Sequence, residues 1–356
     1  MHMADALLSP QVGGVMWAAS GAAMAYSTKK VKDSLDDKKV PLMGVLGAFI
    51  FAAQMINFTI PGTGSSGHLG GGMILAVLLG PYAAFLVMSS VLTVQALFFA
   101  DGGLLALGCN MFNLGFFPAF IAYPLIYKPI AGFARSKGRI TGGSIASVLV
   151  GLQLGAFFVV LETVFSGISE LPFKSFLLMM QPIHLAIGLV EGLVTAAVLN
   201  FIYKTEPMLL DGGSAPREMS GFKKIITVLV IFSVITGGVL SWFASKNPDG
   251  LEWSMFKVSG KEELKNPEGT VHSFLEELQG KFSFLPDYGF KTEKKGDEKE
   301  KEADKKEEPH PTVDGGRSLA GLLGGLITIV IIFIIGFIIK KKNKSSNFQN
   351  EIKFMN

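Results

Sequence analysis

Two histidines, His2 and His68, are the residues of this chain whose types and surroundings could hold a transition metal. A histidine at position 2 can chelate one ion with three nitrogens. These are the free α-amine of Met1, the His2 backbone amide once deprotonated, and the His2 imidazole. The fused rings that result are nearly planar, so a fourth nitrogen from His68 would complete a square. Square-planar nitrogen ligation suits Ni(II) or Cu(II) rather than Zn(II) or Mg(II). The arrangement requires that nothing precede Met1, and the bulky His2 disfavours excision of that methionine. His68 sits in Gly62-Thr63-Gly64-Ser65-Ser66-Gly67-His68-Leu69-Gly70, where glycines allow positive φ and close backbone approach around an enclosed terminus. Ser65, Ser66 and Thr63 supply hydroxyls that could orient an imidazole or the amine, as metal ligands usually require.

Other polar residues are weaker candidates. His184, read as opening a membrane span, is a possible outer partner of the ligands. Asp5 and Asn57 could fix loop geometry, and Asp5 could equally cap the first helix. Glu162 is an ionisable group in an apolar stretch, a functional-site hypothesis with a plain interhelical hydrogen bond as its equal alternative. Glu191 fits helix packing or a partner contact better than metal binding. His272 and His310 read as solvated surface, the scattered methionines as packing, and Cys109 as a small buried residue. That one cysteine excludes an internal disulfide and any CxxC motif. No G-x-x-x-x-G-K-[ST], H-E-x-x-H or G-x-S-x-G sequence is present, so ATP binding through a P-loop and the corresponding hydrolases are not expected.

The elements that must position these residues are membrane helices. The chain is 49% hydrophobic and only 17% charged, with mean hydropathy +0.43. Acidic residues are almost absent from 40 to 160 and dense from 291 to 308. Apolar stretches reaching the ~20-residue crossing length suggest spans near 11–28, 41–58, 82–100, 103–127, 141–166, 180–203, 222–243 and 318–340, with a short one at 69–79. The first lacks a basic leader, which argues against a cleaved signal peptide. Lysine and arginine cluster in alternate loops, and the positive-inside rule then puts the N-terminus outside and the C-terminus inside a multi-pass cell membrane. In that topology the N-terminus, the His68 loop, Asp101, Glu162 and His184 share the external side. The expected fold is an all-α polytopic membrane protein: a seven-helix bundle over 1–204, a cytoplasmic linker at 205–221, and a two-helix appendage over 222–340. The appendage holds a long external loop, 244–317, disordered over 291–311, and a basic tail follows at 341–356. Within the loop, Asn247–Trp253 and Leu285–Tyr288 read as ordered turns with aromatic anchors, and Lys291–Glu308 as a mixed-charge tether.

Met1-His2-Met3-Ala4-Asp5-Ala6-Leu7-Leu8-Ser9-Pro10, together with Pro61–His68, resembles the NikM/CbiM family over about residues 1–204. These are the substrate-capture subunits, or S components, of energy-coupling-factor transporters for nickel and cobalt. The segment 222–340, with Pro248-Asp249-Gly250-Leu251-Glu252, resembles the NikN or PDGLE-type accessory subunit fused to the same chain. The resemblance implies that Met1, His2 and His68 are the metal ligands and that Ni(II), or Co(II), is the transported substrate. It implies two separate P-loop ATPase subunits and a coupling transmembrane subunit as partners, with no nucleic acid involved. Cobalt types often begin Met-His-Ile-x-Glu/Asp-Gly, whereas this chain has Met3, Asp5 and Ala6; amide deprotonation favours nickel. The rival classes are cobalt uptake for cobalamin synthesis, an ATP-independent channel or secondary carrier, and a metal sensor.

Overall fold

The structure is a computed structural model that describes residues 2–32, 35, 38–132, 135–211, 219–290 and 313–355, with side chains described as far as Lys341. A single 3-10 turn (Asp5–Leu7) precedes α1 (Pro10–Val31). Ser9 starts α1: its hydroxyl accepts from the Val12 N–H at 3.4 Å, and Pro10 fills the first helical position, where a missing N–H costs nothing. Asp5 therefore does not cap this helix.

After α2 (Lys39–Gln54), an antiparallel hairpin pairs β1 (Phe58–Ile60) with β2 (Ser65–Gly67), Thr59 opposite Ser66. Its turn needs left-handed backbone at Gly62 and Gly64, with φ of 77° and 75°. Then come α3 (Gly72–Leu79), α4 (Pro81–Phe99) and α5 (Leu107–Met111). α5 widens into a π-type stretch, Phe112–Gly132, where Pro118, Pro124 and Pro129 deprive the ordinary ladder of donors. Two long helices follow, α6 (Lys137–Ser166) and α7 (Phe173–Thr205). The remainder is α8 (Met219–Gly238), α9 (Gly250–Ser259), α10 (Thr270–Phe282) and α11 (Gly315–Met355).

The chain is an all-α polytopic membrane protein. Among the described residues, six helical stretches are long and apolar enough to cross a bilayer: 81–99, 107–132, 137–166, 173–205, 219–238 and 315–341. The sequence suggested nine. α1 has the length, with 22 residues, but polar residues and terminal lysines dilute it, while α2 has 16 residues and α3 only 8. α7 starts at Phe173 rather than near 180, because Pro182 is absorbed within the helix instead of beginning it. His184 consequently lies about three turns inside α7, fully enclosed rather than at a boundary.

Burial sorts the spans into inner and outer. In α4 78% of the apolar window is buried, against 22% in α8 and 33% in α11, so α4 runs through the core and the last two line the periphery. Exposed Ile231, Val234, Leu326 and Phe337 on those outer helices suit lipid. α8 and α11 cross where Gly237 meets Gly321, and a Cβ on either would strike the other's backbone. α11 in turn seats Phe333 on Gly44 and Ile332 on Gly47 of α2. The segment between α8 and α11 folds back over one end of the bundle, where the histidines are.

Candidate metal centre

The first residues of the chain lie in a slot made by 101–110. Met3 donates its N–H to Asn110 Oδ1 at 2.8 Å, and its carbonyl accepts from Asn110 Nδ2 at 3.2 Å and Gly103 N–H at 2.9 Å. Asp5 Oδ1 accepts from the Ala106 N–H at 2.9 Å, and any side chain at Gly103 would overlap that carboxylate. Asp5 is thus a clasp between two segments, and burial raises its carboxyl above the usual range.

His68 is held from the opposite side. Beyond it, the Gly70 and Gly71 N–H groups donate to Glu191 Oε2 and Oε1 at 3.0 and 2.8 Å. Gln54 Nε2 donates to the Gly70 carbonyl at 2.8 Å. Both carboxylate oxygens of a buried glutamate therefore serve the glycine loop, a role not anticipated for Glu191. Gly67 packs so tightly on Ile187 that no Cβ would fit.

These two clasps bring the imidazoles of His2 and His68 into a stack, centroids 4.9 Å apart and planes 13° from parallel. His68 Nδ1 lies 3.2 Å from the Leu69 carbonyl. A carbonyl only accepts, so Nδ1 carries the proton and Nε2 of the neutral ring keeps its lone pair. His2 Nδ1 lies 3.3 Å from Asp101 Oδ1, and its buried Nε2 has no partner among the described residues. Burial lowers the His2 imidazole below its ordinary pKa against the opposing pull of Asp101. It lowers His68 well below, aided by the positive charge of the amino terminus and by His2. Met1 itself lies outside the described residues.

The third wall comes from the loop between α8 and α11. Pro248 and Asn247 carbonyls accept from the Ser66 N–H and hydroxyl, each at 2.8 Å, and Trp253 Nε1 donates to the Thr63 carbonyl at 2.9 Å. Ser65 also turns its hydroxyl to backbone, to the Ser66 carbonyl at 3.1 Å and the Pro248 carbonyl at 3.4 Å. Neither serine orients an imidazole, because both face the segment that arrives from 180 residues downstream. Asp249 opens α9 with a capping box: its Oδ1 accepts from Leu251 and Glu252, and Glu252 returns the bond to the Asp249 N–H. Burial alone would raise the Asp249 carboxyl, but the positive charge of the amino terminus, with the Glu252 N–H bond, holds it well below the usual range.

Gly250 lies flat on His184, where an added Cβ would come within 3.0 Å of the ring. His184 donates Nδ1–H to the Met180 carbonyl at 2.8 Å, its Nε2 has no partner among the described residues, and it lines a small cavity together with His68. His272, read from sequence as surface, is buried: Nε2–H donates to the Leu8 carbonyl at 2.9 Å because α10 lies directly over the amino-terminal segment. Gln279 on the same helix donates to Ala96 and Gly102 carbonyls, and the Tyr288 hydroxyl bonds to Asp101. Asn57 contributes its carbonyl to the Ser245 N–H at 2.8 Å and lines the adjoining chamber. Glu162 accepts from Asn113 Nδ2 at 2.8 Å, the interhelical alternative. Cys109 is buried, as expected, whereas His310 and 291–308 lie outside the described residues.

The site makes one pH prediction. With both imidazole pKa values lowered, protons on His2 and His68 do not compete with a metal near neutrality. A chelate through the Met1 amine and the His2 amide would displace the protons of the amine, which titrates near ~8 when unperturbed, and of the amide. Apparent nickel affinity should therefore climb by up to about 100-fold per pH unit between 6.5 and 8, two protons being released. Above that it should climb about tenfold per unit. Competition titrations against a chromophoric chelator check it, and a flat profile would contradict a chelate through amine and amide.

An imidazole pair walled off at one end of an apolar bundle is a donor set that suits a transition-metal ion. The chain belongs to the CbiM family, matching the cobalt uptake substrate-specific transmembrane region over residues 2–209, and continues with a PDGLE domain over 223–341. It is 32% identical, over 95% of its length and 97% of the relative's, to a protein of Archaeoglobus fulgidus provisionally described as a fused nickel transport protein NikMN. It is also 32% identical to the fused nickel transport protein NikMN of Rhodobacter capsulatus, across 61% of this chain and 65% of that one. A crystal structure of a truncated transition metal transporter superposes with a TM-score of 0.51 at 32% identity, over 57% of this chain and 99% of the other. The chain is a nickel/cobalt transport membrane protein.

Proposed function

We propose that this chain captures external Ni(II) for an ATP-driven uptake system, with the Met1 amine, the His2 amide and imidazole, and His68 as the four ligands. The observation that carries the reading is the buried stack of His2 on His68, two metal-ready imidazoles brought together across 66 residues of sequence. Stacked rings face each other, whereas two imidazoles on one ion must point nitrogens at a common centre. Capture therefore rotates at least one ring, and the His2–Asp101 contact is the bond that gives way.

Nickel is favoured over cobalt by the deprotonated amide and by the fused two-part layout shared with relatives named for nickel. The amino terminus and the loop between α8 and α11 face outside in this reading. Two P-loop ATPase subunits and a coupling membrane subunit supply the energy. The cytoplasmic loops, or the small-residue face of α1 at Gly21, Ala22, Ala23 and Ala25, meet the coupling subunit.

The test is accumulation of radioactive nickel in cells that express the chain with and without those ATPases. Uptake at least about tenfold above background only when all partners are present is the expected result. Uptake that survives loss of the ATPases would instead identify a carrier or channel, and binding without accumulation would identify a sensor.

A further inference from the structure

Where the amino-terminal domain meets the PDGLE domain among the membrane helices, three helices leave a gap. α2, α8 and α11 enclose about 290 Å³ of apolar space. Its floor is made of small residues, Ala48 and Ala52 of α2 with Gly321 and Gly325 of α11. Its rims, Val234 on one side and Leu326 on the other, are exposed, so the gap opens on the surrounding hydrocarbon.

The helices cannot close the gap by moving together, because each pair is already in contact beside it. Phe333 and Ile332 of α11 sit on Gly44 and Gly47 of α2, and Gly237 of α8 crosses Gly321 of α11. The Phe49 and Phe232 rings of α2 and α8 lie 5.8 Å apart. Atoms that face a void lose their dispersion partners, so the space suits a hydrocarbon chain. Ser233, the hydroxyl residue on its wall, is engaged within α8, where Oγ donates to the Leu229 carbonyl at 2.7 Å.

Charge selects the kind of lipid. Lys38 precedes Val45 and Lys223 precedes Val230 by seven residues each, and Lys340 follows Ile329 by eleven. Seven and eleven residues are about two and three helical turns, so each of the three helices carries a lysine on the face that lines the gap. The three also reach one level. Val40 lies against Gly336; Lys38 is two residues before the first, and Lys340 is four after the second. Lys223 precedes Phe232, and Val40 precedes Phe49, by nine residues each. Lys224 and Lys341, both exposed, add to the same end, while Glu206, which packs on Gly221 there, is buried. Along α2 the gap runs from about 10 Å to about 20 Å beyond Lys38. One leaflet with its headgroups is about 20 Å deep, so a phosphate among the lysines lays its acyl chain into the gap.

We infer that the α2–α8–α11 junction is a binding site for one anionic phospholipid, its phosphate held by Lys38, Lys223 and Lys340 and a chain filling the space between the two domains. An ammonium carries three donors, so each lysine can serve the phosphate beside any other bond it makes. Basic pockets between membrane helices bind anionic headgroups on the same grounds. The site stands apart from the metal centre and does not depend on which residues ligate nickel.

The test is native mass spectrometry of the full chain in micelles that carry equal amounts of phosphatidylglycerol and phosphatidylcholine with identical chains. The wild type should keep one phosphatidylglycerol under conditions that strip phosphatidylcholine. Lys223→Gln/Lys340→Gln should bind phosphatidylglycerol at least about tenfold more weakly, with phosphatidylcholine binding unchanged. Ser233→Phe leaves the lysines in place and fills the gap, and it should also lose the retained lipid. Lys174→Gln, exposed on the first turn of α7, a helix that does not line the gap, should match the wild type. Equal retention of the two lipids by the wild type overturns the site without recourse to any variant. Phosphatidylglycerol binding undiminished in both the lysine and the Ser233 variants overturns it as well. If Ser233→Phe keeps its lipid but releases a co-purified membrane subunit, the gap belongs to a partner helix and the lipid site falls.

Discussion

A few residues placed ahead of Met1 should weaken nickel binding by at least about a thousandfold. Such an extension removes the free amine and turns His2 into an internal histidine, leaving two separate imidazoles in place of the proposed fused chelate. Changing the outer partner of a single ligand costs roughly 10–100-fold in metal affinity, and in the proposed site two of four ligands and the chelate ring would vanish together. The slot around Met3 tightens the expectation. Asn110 and Gly103 fix the Met3 backbone with three hydrogen bonds, so the segment cannot slide to recover a new geometry. The measurement is nickel affinity of native and extended protein, each with its amino terminus established by intact mass. Equal affinities would move the site elsewhere in the chain. His68→Ala should reproduce much of the loss with the terminus intact, which separates the chelate from simple damage to the fold.

The loop between α8 and α11 touches every part of the centre. Its Asn247–Pro248 carbonyls take the His68 hairpin, His272 takes Leu8, and Tyr288 and Gln279 take the 101–102 turn. A segment that grips three separate strands of one site can hold them in register more firmly than any of them can hold another.

How much of this was legible beforehand follows from how far each signal travels along the chain. His2 and His68 could be read because each carries its context locally: a chain terminus on one side, and glycines at 62, 64, 67 and 70 on the other. The inner helices were legible as uninterrupted apolar runs. Asp101, Asn110 and Glu191 were not legible as site residues, since each acts on a partner 99 to 121 residues away, the His2 ring for Asp101 and backbone N–H groups for the other two. Nothing in their neighbours' types announces such a partner. His272 misled for a similar reason. α10 is strongly amphipathic, and a lone histidine on such a helix looks solvated until the surface under it is known. Ser65 and Ser66 were read as hydroxyls that could orient an imidazole or the amine, whereas they bond to backbone carbonyls, those of Asn247 and Pro248 in the second domain among them.

The glycine loop supplies the second large effect. Glu191→Ala should both destabilise the protein and weaken nickel binding, although Glu191 is no ligand. Its two oxygens accept from Gly70 and Gly71, and the side chain is 4% exposed. Removing it strands two buried N–H groups, each costing about 1–3 kcal/mol when unsatisfied. The cost can be relieved only if the loop moves to find water or another acceptor. Gly71 holds φ of 77° and packs on Ile50, which confines such movement. Part of the strain must then pass along the two residues to His68, opening the stack on His2. A loss of about 2–4 kcal/mol in thermal or denaturant unfolding is expected, with nickel affinity falling at least about tenfold, as for loss of an outer partner of a ligand. Glu191→Gln separates the causes. Its amide oxygen can serve one N–H but its NH2 meets the other donor, so stability and affinity should both land between the wild type and Glu191→Ala. Affinity unchanged in both variants at full stability would show that the glycine loop holds His68 without Glu191.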